Sequence, residues 1–161
     1  MATLNGSGIG GFDLSDWRDQ VFAFDYDGTG KLDHLACYRP GTGAIFILKK
    51  IGGRDGLDAF SPVYQGQGIA GYNLADIRDR AFAFDYDGTG KLDHLACYRP
   101  ATGTIWILKK VSDNNSPDAF AAVYHQGDPG QGIAGYNLAD IRDRVFAFDY
   151  DGTGKLDHLA C

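Results

Sequence analysis

Short apolar runs recur along the chain, and each is closed by turn-forming residues, a pattern that predicts β-strands. The run from Val21 to Phe24 is apolar and aromatic and ends at the Asp-Gly-Thr-Gly turn of residues 27–30. Nothing in the repeated pattern has the i, i+3, i+4 apolar spacing of a long amphipathic helix, so an all-β protein is expected. The predicted strands run from Val21 to Phe24, His34 to Tyr38, Ala44 to Lys50, Phe60 to Tyr64, Ala81 to Phe84, His94 to Tyr98, Thr104 to Lys110 and Phe120 to Tyr124.

These strands belong to an internal repeat. The segment FAFDYDGTGKLDHLAC occurs three times, and residues 68–97 differ from residues 132–161 only at Ala81 and Val145. We divide the single domain of residues 1–161 into units of approximately 8–67, 68–131 and 132–161, the last of them truncated. Such near-identity indicates recent duplication or deliberate design.

Each full unit contains four short predicted strands, and their pattern bears on the fold class. The strands FAF and AIFILKK show little alternation of apolar and polar positions, which is typical of sheets buried on both faces. Blades of a β-propeller, each made of four antiparallel strands, meet this description because each blade is sandwiched between two others. A β-sandwich predicts cleaner alternation and a β-helix predicts a shorter period, so the propeller is favoured.

The number of units predicts an assembly. The chain carries three first strands, or about 2.5 blades, whereas closed propellers have about four to eight blades. An open ring exposes unpaired strand edges, and identical chains joined head to tail would close it. The expected partner is therefore a second copy of the chain in a strand-swapped homo-oligomer. A dimer with six blades is favoured over three chains with nine.

Composition narrows the range of partners. The chain has 161 residues, 44% of them hydrophobic, and a net charge of −6, which disfavours nucleic acid as a partner. No stretch approaches the roughly 20 apolar residues of a membrane helix, so membrane insertion is not expected. The N-terminal MATLNGSGIG shows no signal peptide, which leaves the location open. Cys37, Cys97 and Cys161 are predicted to be reduced thiols that behave as small apolar residues.

An Asp-rich loop follows each first strand and carries candidate metal ligands. In the first loop Asp25, Asp27 and Asp33 stand at relative positions 1, 3 and 9, with Thr29 at 5 and the Lys31 carbonyl at 7. Calcium prefers about six to eight oxygen ligands, often from alternate residues of a tight loop. The alternative is an Asx-type turn in which the aspartates accept backbone N–H bonds and no metal binds. The equivalent residues are Asp85, Asp87, Thr89, Lys91 and Asp93 in the second loop, and Asp149, Asp151, Thr153, Lys155 and Asp157 in the third.

The loop DYDGTGKLD resembles the FG-GAP/VCBS repeat of integrin α heads and of mushroom lectins of the Psathyrella velutina type. The stretch GGFDLSDWR at residues 10–18 is similar to the aromatic and Gly-Trp-Arg stretch that precedes the innermost strand of those lectins. The resemblance implies calcium loops between the first two strands of each blade, sugar pockets between blades and an extracellular setting. The FG and GAP elements themselves are missing, and Cys37-Tyr38-Arg39 stands where a Gly-Phe-Gly run is common.

Aromatic and polar residues beside the loops are the candidate sugar contacts. Trp17 is replaced by Ile77 and Ile141 in the other units, which argues against Trp17 as a shared contact. Alternatively, the aromatic side chains pack between blades. The candidates are Trp17, Arg18, Tyr72, Arg78, Tyr136 and Arg142.

The favoured function is multivalent, lectin-like carbohydrate binding. The alternative is a structural or protein-interaction propeller, including an engineered repeat assembly without a ligand. An enzyme is not expected, because His34, His94 and His158 each follow an aspartate but have no Ser or Cys nucleophile at a matching spacing.

Overall fold

The computed structural model describes residues 8–52, 60–113, 119–125 and 132–161. Within these ranges the protein is all-β, and no helix long and apolar enough to cross a membrane occurs. The strands are β1 (Gln20–Phe24), β2 (His34–Tyr38), β3 (Ala44–Lys50), β4 (Phe60–Gln67), β5 (Arg80–Phe84), β6 (His94–Arg99), β7 (Thr104–Lys110), β8 (Phe120–His125), β9 (Phe146–Phe148) and β10 (His158–Ala160).

The strands form three antiparallel sheets, one from each sequence unit. The first sheet has the order β1-β2-β3-β4, the second β5-β6-β7-β8, and the third pairs β9 with β10. Both four-stranded sheets shift register at the same place, between Ile47 and Leu48 in β3 and between Ile107 and Leu108 in β7. A bulge of this kind increases the local twist of the strand, so the repeated sequence encodes the same curvature twice.

A tight turn precedes each predicted first strand, and it depends on glycine. Gly68 and Gly132 have φ values of 71° and 65°, in the left-handed region that glycine tolerates best. A Cβ atom at either position would collide with the carbonyl oxygen of Tyr72 or Tyr136. The glycine therefore lets the chain fold back, so that Ile69 pairs with Tyr72 and Ile133 with Tyr136.

The core lies between the sheets. Phe120 of β8 stacks on Phe24 of β1 with ring centroids 6.5 Å apart, and it meets Tyr64 of β4 edge to face at 5.7 Å. These rings belong to one buried cluster that also holds Ile45 and Leu95. A second cluster joins the second sheet to the third unit through Tyr98, Ile105, Leu138 and Val145. Since each apolar face packs against the next sheet, burial of apolar area holds the units together.

The same hydrogen bonds connect each unit to the next. The Ala81 amide donates to the Tyr38 hydroxyl at 2.8 Å, and the Val145 amide donates to the Tyr98 hydroxyl at 3.2 Å. The loops also join, since the Asp25 amide donates to the Leu92 carbonyl at 3.0 Å and the Asp85 amide donates to the Leu156 carbonyl at 3.1 Å. The first strands β1, β5 and β9 are neighbours. Equivalent residues from all three units therefore converge on one 220 Å³ cavity, lined by Gly30, Leu32, Gly90, Leu92, Gly154 and Leu156.

The strand predictions agree closely with the structure, with small differences at the ends. β4 continues to Gln67 instead of ending at Tyr64, because Gly66 and Gln67 still pair with Ile45 and Ala44 of β3. The prediction of sheets buried on both faces holds for β6, which lies in the middle sheet, but β1 and β9 have exposed positions. Cys37 and Cys97 are buried free thiols, as predicted, and Cys161 is an exposed free thiol.

Candidate functional site

The first aspartate of each loop accepts hydrogen bonds from two backbone amides of the same turn. The buried Asp25 carboxylate accepts the Thr29 amide at 2.9 Å through Oδ1 and the Gly30 amide at 2.7 Å through Oδ2. Asp85 makes the same bonds at 2.9 and 2.7 Å, and Asp149 makes them at 3.0 and 2.7 Å. Both oxygens of this aspartate are therefore used by the backbone, which is the geometry of an Asx-type turn.

The second aspartate faces a lysine from the third strand of its own sheet. Asp27 Oδ1 accepts the Thr29 hydroxyl at 2.9 Å, and its Oδ2 lies 3.3 Å from Lys49 Nζ. In the second loop Lys109 Nζ lies 3.0 Å from Asp87 Oδ2 and 3.6 Å from Asp93 Oδ2. An ammonium group thus supplies a positive charge where the aspartates converge.

The pKa shifts follow this pairing. Burial raises the pKa of Asp87, but hydrogen bonds from Lys109 and Thr89 outweigh it and hold that pKa well below its usual range. The hydrogen bond to Asp87 in turn raises the pKa of Lys109. Asp87 and Lys109 therefore form an ion pair at neutral pH.

A histidine completes each loop at the start of the second strand. His34 Nδ1 lies 2.7 Å from Asp33 Oδ1, and the same 2.7 Å separates His94 from Asp93 and His158 from Asp157. Burial lowers the pKa of His94 despite the neighbouring carboxylates. The polar atoms of Asp27, Asp33 and His34 lie within 4.8 Å of one another, as do those of the two equivalent sets, Asp87, Asp93, His94 and Asp151, Asp157, His158.

The donor set fits calcium poorly in the first two loops. Backbone amides occupy the first aspartate of all three loops, and in the first two loops an ammonium group also neutralises Asp27 and Asp87. In the third loop, Asp151 and Asp157 have no lysine within ion-pair distance among the described residues. The arrangement favours the structural turn in the first two loops, and the third offers the freest oxygen ligands. The Lys155 side chain donates to the Gly88 carbonyl at 2.7 Å, which ties the third loop to the second.

Most of the predicted sugar contacts have partners within the chain. Asp16, Asp76 and Asp140 hold the guanidinium groups of Arg18, Arg78 and Arg142. The Tyr72 and Tyr136 hydroxyls donate to Asp79 and Asp143, each at 2.8 Å. Trp17 differs from these residues because 85% of its surface is exposed.

Two cavities collect the polar side chains that could meet a ligand. The first, of 280 Å³, lies between the first two sheets and includes Tyr26, Asp27, Asp93, Lys109, Lys110 and Ser112 in its wall. The ammonium of Lys110 sits 4.2 Å from the centre of the Tyr26 ring, a cation–π contact that joins the two sheets. Lys109 and Lys110 carry no local sequence signal of a site, since only the sheet register brings them to the loops.

The second cavity, of 310 Å³, is lined by residues of all three units, and we call it the arginine cavity. It brings together three of the predicted sugar contacts, Trp17, Arg18 and Arg78, but not Tyr72, Tyr136 or Arg142. Equivalent positions line it as well, namely Trp17, Ile77 and Ile141, and Gln20, Arg80 and Arg144. Sequence reasoning missed Arg80 and Arg144, although the repeated Asp-Ile-Arg-Asp-Arg motif places them at one spacing.

No family model matches the chain, and no curated protein or solved structure matches it at a significant level. Function is therefore inferred from the geometry of the chain itself.

Proposed function

We propose that the chain is a segment of a β-propeller that binds carbohydrate in a multivalent, lectin-like manner. The observation that carries the proposal is the 280 Å³ cavity between the first two sheets. Its wall presents carboxylates, ammonium groups and a serine beside an aromatic residue, a combination suited to a ligand rich in hydroxyl groups. The cavity lies between neighbouring units, so repetition of the units would repeat the site.

The propeller arrangement is supported by the repeated contacts between units. Both junctions use a tyrosine hydroxyl as acceptor, Tyr38 in one and Tyr98 in the other. The first strands are neighbours, and equivalent leucines and glycines of the three units line a common cavity. First strands gathered in this way are expected of blades arranged around an axis.

Assembly with further copies is supported by the apolar surface of the third sheet. Tyr26 in the first unit is only 5% exposed because the second sheet covers it, whereas its counterpart Tyr150 is 74% exposed. Phe146 of β9 is exposed as well. A neighbouring sheet would cover both rings, and two chains would give the six-bladed ring that the repeat predicts.

Light scattering tests the assembly directly. A molar mass of twice 17.4 kDa supports the six-bladed ring, and a stable 17.4 kDa monomer would refute closure by copies. Tyr150→Asp is a suitable variant because a charge on the contact face should shift the population towards the monomer.

A glycan array followed by calorimetry tests sugar binding. Lys110→Gln removes an ammonium group from the cavity wall and should weaken binding to the sugars selected on the array. Lys31→Gln makes the same charge change on an exposed loop residue and should leave binding unchanged. Equal losses in both variants, or no sugar retained at any density, would contradict the proposal. Because weak sites act together in an assembly, the array should be printed at high density.

The alternative is a propeller that serves as a structural or protein-interaction module. It is favoured by the internal pairing of the predicted sugar contacts, for example of Arg18 with Asp16 and Tyr72 with Asp79. A ring by light scattering that binds no glycan would support this alternative. Calcium binding stays a prediction, with the third loop as the place where the described residues fit it best.

A further inference from the structure

The arginine cavity is formed by one short segment from each unit. The segments are DWRDQ at residues 16–20, DIRDR at 76–80 and DIRDR at 140–144. The first segment differs from the other two at its apolar position and at its last position. The second residue of each segment places Trp17, Ile77 and Ile141 in the wall. The last residue places Gln20, Arg80 and Arg144 there, so the cavity has two cationic positions and one neutral position of the same kind.

The other arginines of the cavity are neutralised within the chain. Arg18 pairs with Asp16 and Arg78 pairs with Asp76, each through two hydrogen bonds. The second carboxylate of the first two segments is also used, since Arg39 binds Asp19 at 2.7 and 3.0 Å and Arg99 binds Asp79 at 2.7 and 2.8 Å. In the third segment Asp140 pairs with Arg142, whereas Asp143 accepts the Tyr136 hydroxyl and the Asp140 amide and has no arginine partner among the described residues.

Arg80 and Arg144 are different because they donate to backbone carbonyl groups. The Arg80 Nη1 donates to the carbonyl oxygens of Ile77 at 3.1 Å and Asp79 at 2.9 Å. The Arg144 Nη1 donates to those of Ile141 at 3.3 Å and Asp143 at 2.8 Å. Neither guanidinium has a carboxylate within ion-pair distance in the described ranges of the chain. The backbone therefore holds each guanidinium without an ion-pair partner, in a protein whose net charge is −6.

We propose that the arginine cavity binds the oxyanion group of a small molecule, a phosphate, sulfate or carboxylate. A guanidinium presents a planar fork of donors that matches such groups, and anchoring at Nη1 leaves the Nε and Nη2 edge to donate. Two guanidiniums from consecutive units converge on the same 310 Å³ space. The exposed side chains of Trp17 and Ile77 border it and would contact an apolar portion of the molecule. The site lies within one chain, so it depends neither on ring closure nor on sugar binding.

Trp17 gives the experiment an internal reporter. In a Trp106→Phe background, which introduces the residue that the first unit has at position 46, tryptophan emission comes from Trp17 alone. Inorganic phosphate, sulfate and acetate are titrated separately at constant ionic strength set with sodium chloride. A saturable change in Trp17 emission with at least one of them is expected, and the three titrations rank the oxyanion groups.

The chain supplies its own matched variants. Arg80→Gln and Arg144→Gln each introduce the residue found at position 20 and should weaken the binding by about tenfold, because charge-assisted hydrogen bonds are the stronger ones. Gln20→Arg should tighten it by a similar factor. Lys50→Gln, which removes an exposed cation outside the cavity, should leave the affinity unchanged.

Several outcomes would overturn the proposal. These are a linear emission change without saturation, an equal response to chloride, or a Lys50→Gln effect as large as that of Arg80→Gln. The last two would mean that general surface charge is responsible. Thermal melts establish that each variant is folded, and Gln20→Arg still decides the matter if the substitutions at 80 and 144 prevent folding.

Discussion

The buried carboxylate of Asp79 organises the turn before β5, and its replacement is a sharp test of the structure. It accepts the Tyr72 hydroxyl at 2.8 Å, Arg99 Nε at 2.7 Å and Nη2 at 2.8 Å, and the Asp76 amide at 2.9 Å. Burial and the neighbouring Asp79 raise the pKa of Tyr72, so its hydroxyl stays protonated and donates. Asp79→Asn keeps the shape but removes the charge that these donors share.

The expected loss of unfolding free energy is about 3 kcal/mol. Removing one partner from a buried ion pair costs roughly 3–5 kcal/mol, and the lower end applies because 21% of the Arg99 side chain is exposed. The other units provide graded controls. Asp19 binds Arg39 but accepts no tyrosine hydroxyl, because Phe12 stands at the position of Tyr72. Asp143 accepts the Tyr136 hydroxyl but has no arginine partner among the described residues.

Urea unfolding at one fixed protein concentration gives the comparison, with midpoints read at a constant m-value. We expect the loss to decrease in the order Asp79→Asn, Asp19→Asn, Asp143→Asn, with about 1 kcal/mol for the exposed Asp143 network. Tyr72→Phe, which introduces the residue of the first unit, should couple to Asp79→Asn in a double-mutant cycle. If Asp79→Asn costs no more than Asp143→Asn, the reasoning from burial and charge would be refuted.

Three further predictions concern thiols, pH and metal. The native chain should react quickly with a thiol reagent only at Cys161, because Cys37 is buried and burial raises its pKa to about 11; rapid modification of a second thiol would contradict this. Burial lowers the pKa of His94 below 6.5, so the unfolded chain binds more protons than the folded chain as the pH falls. The stability present above pH 6.5 is therefore lost on acidification through the lowered pKa. His94→Gln should flatten the dependence of the urea midpoint on pH below that value, and an unchanged slope would count against it. Calcium calorimetry should show at most one site per chain, lost in Asp151→Asn and kept in Asp27→Asn, whereas three equivalent sites would show that lysine does not replace the metal.

The strands could be predicted from the sequence because their signals are local. Apolar runs bounded by turn residues predict both ends of β2, β3 and β7 as they are observed. β4 was predicted too short, since its last residues are polar or glycine and are held only by pairing with β3. Local turn chemistry therefore locates strands well, and pairing with a neighbour determines how far they extend.

The chemistry of the loops could not be predicted in the same way. Lys49 lies 22 residues after Asp27, and only the register of β3 beside β2 brings its ammonium to the loop. The sequence likewise does not reveal which arginine of Asp-Ile-Arg-Asp-Arg pairs with a carboxylate. In the structure Arg78 pairs with Asp76, whereas Arg80 donates to carbonyl oxygens. The arginine predicted as a ligand contact, Arg78, is therefore the one whose charge is already paired.

The tyrosine bridges between units have a consequence for how the chain folds. Tyr38 and Tyr98 make the same bond to equivalent amides, and the residues around them are nearly the same in each unit. The third unit would therefore offer the first sheet the same amide bond, with Val145 in place of Ala81, but its two described strands provide no counterpart to Phe120 of β8. A mismatched pairing then shares part of the native contacts, which is the condition for kinetic traps in repeat proteins. Order along the chain and the stacking of Phe120 on Phe24 together select the native neighbour.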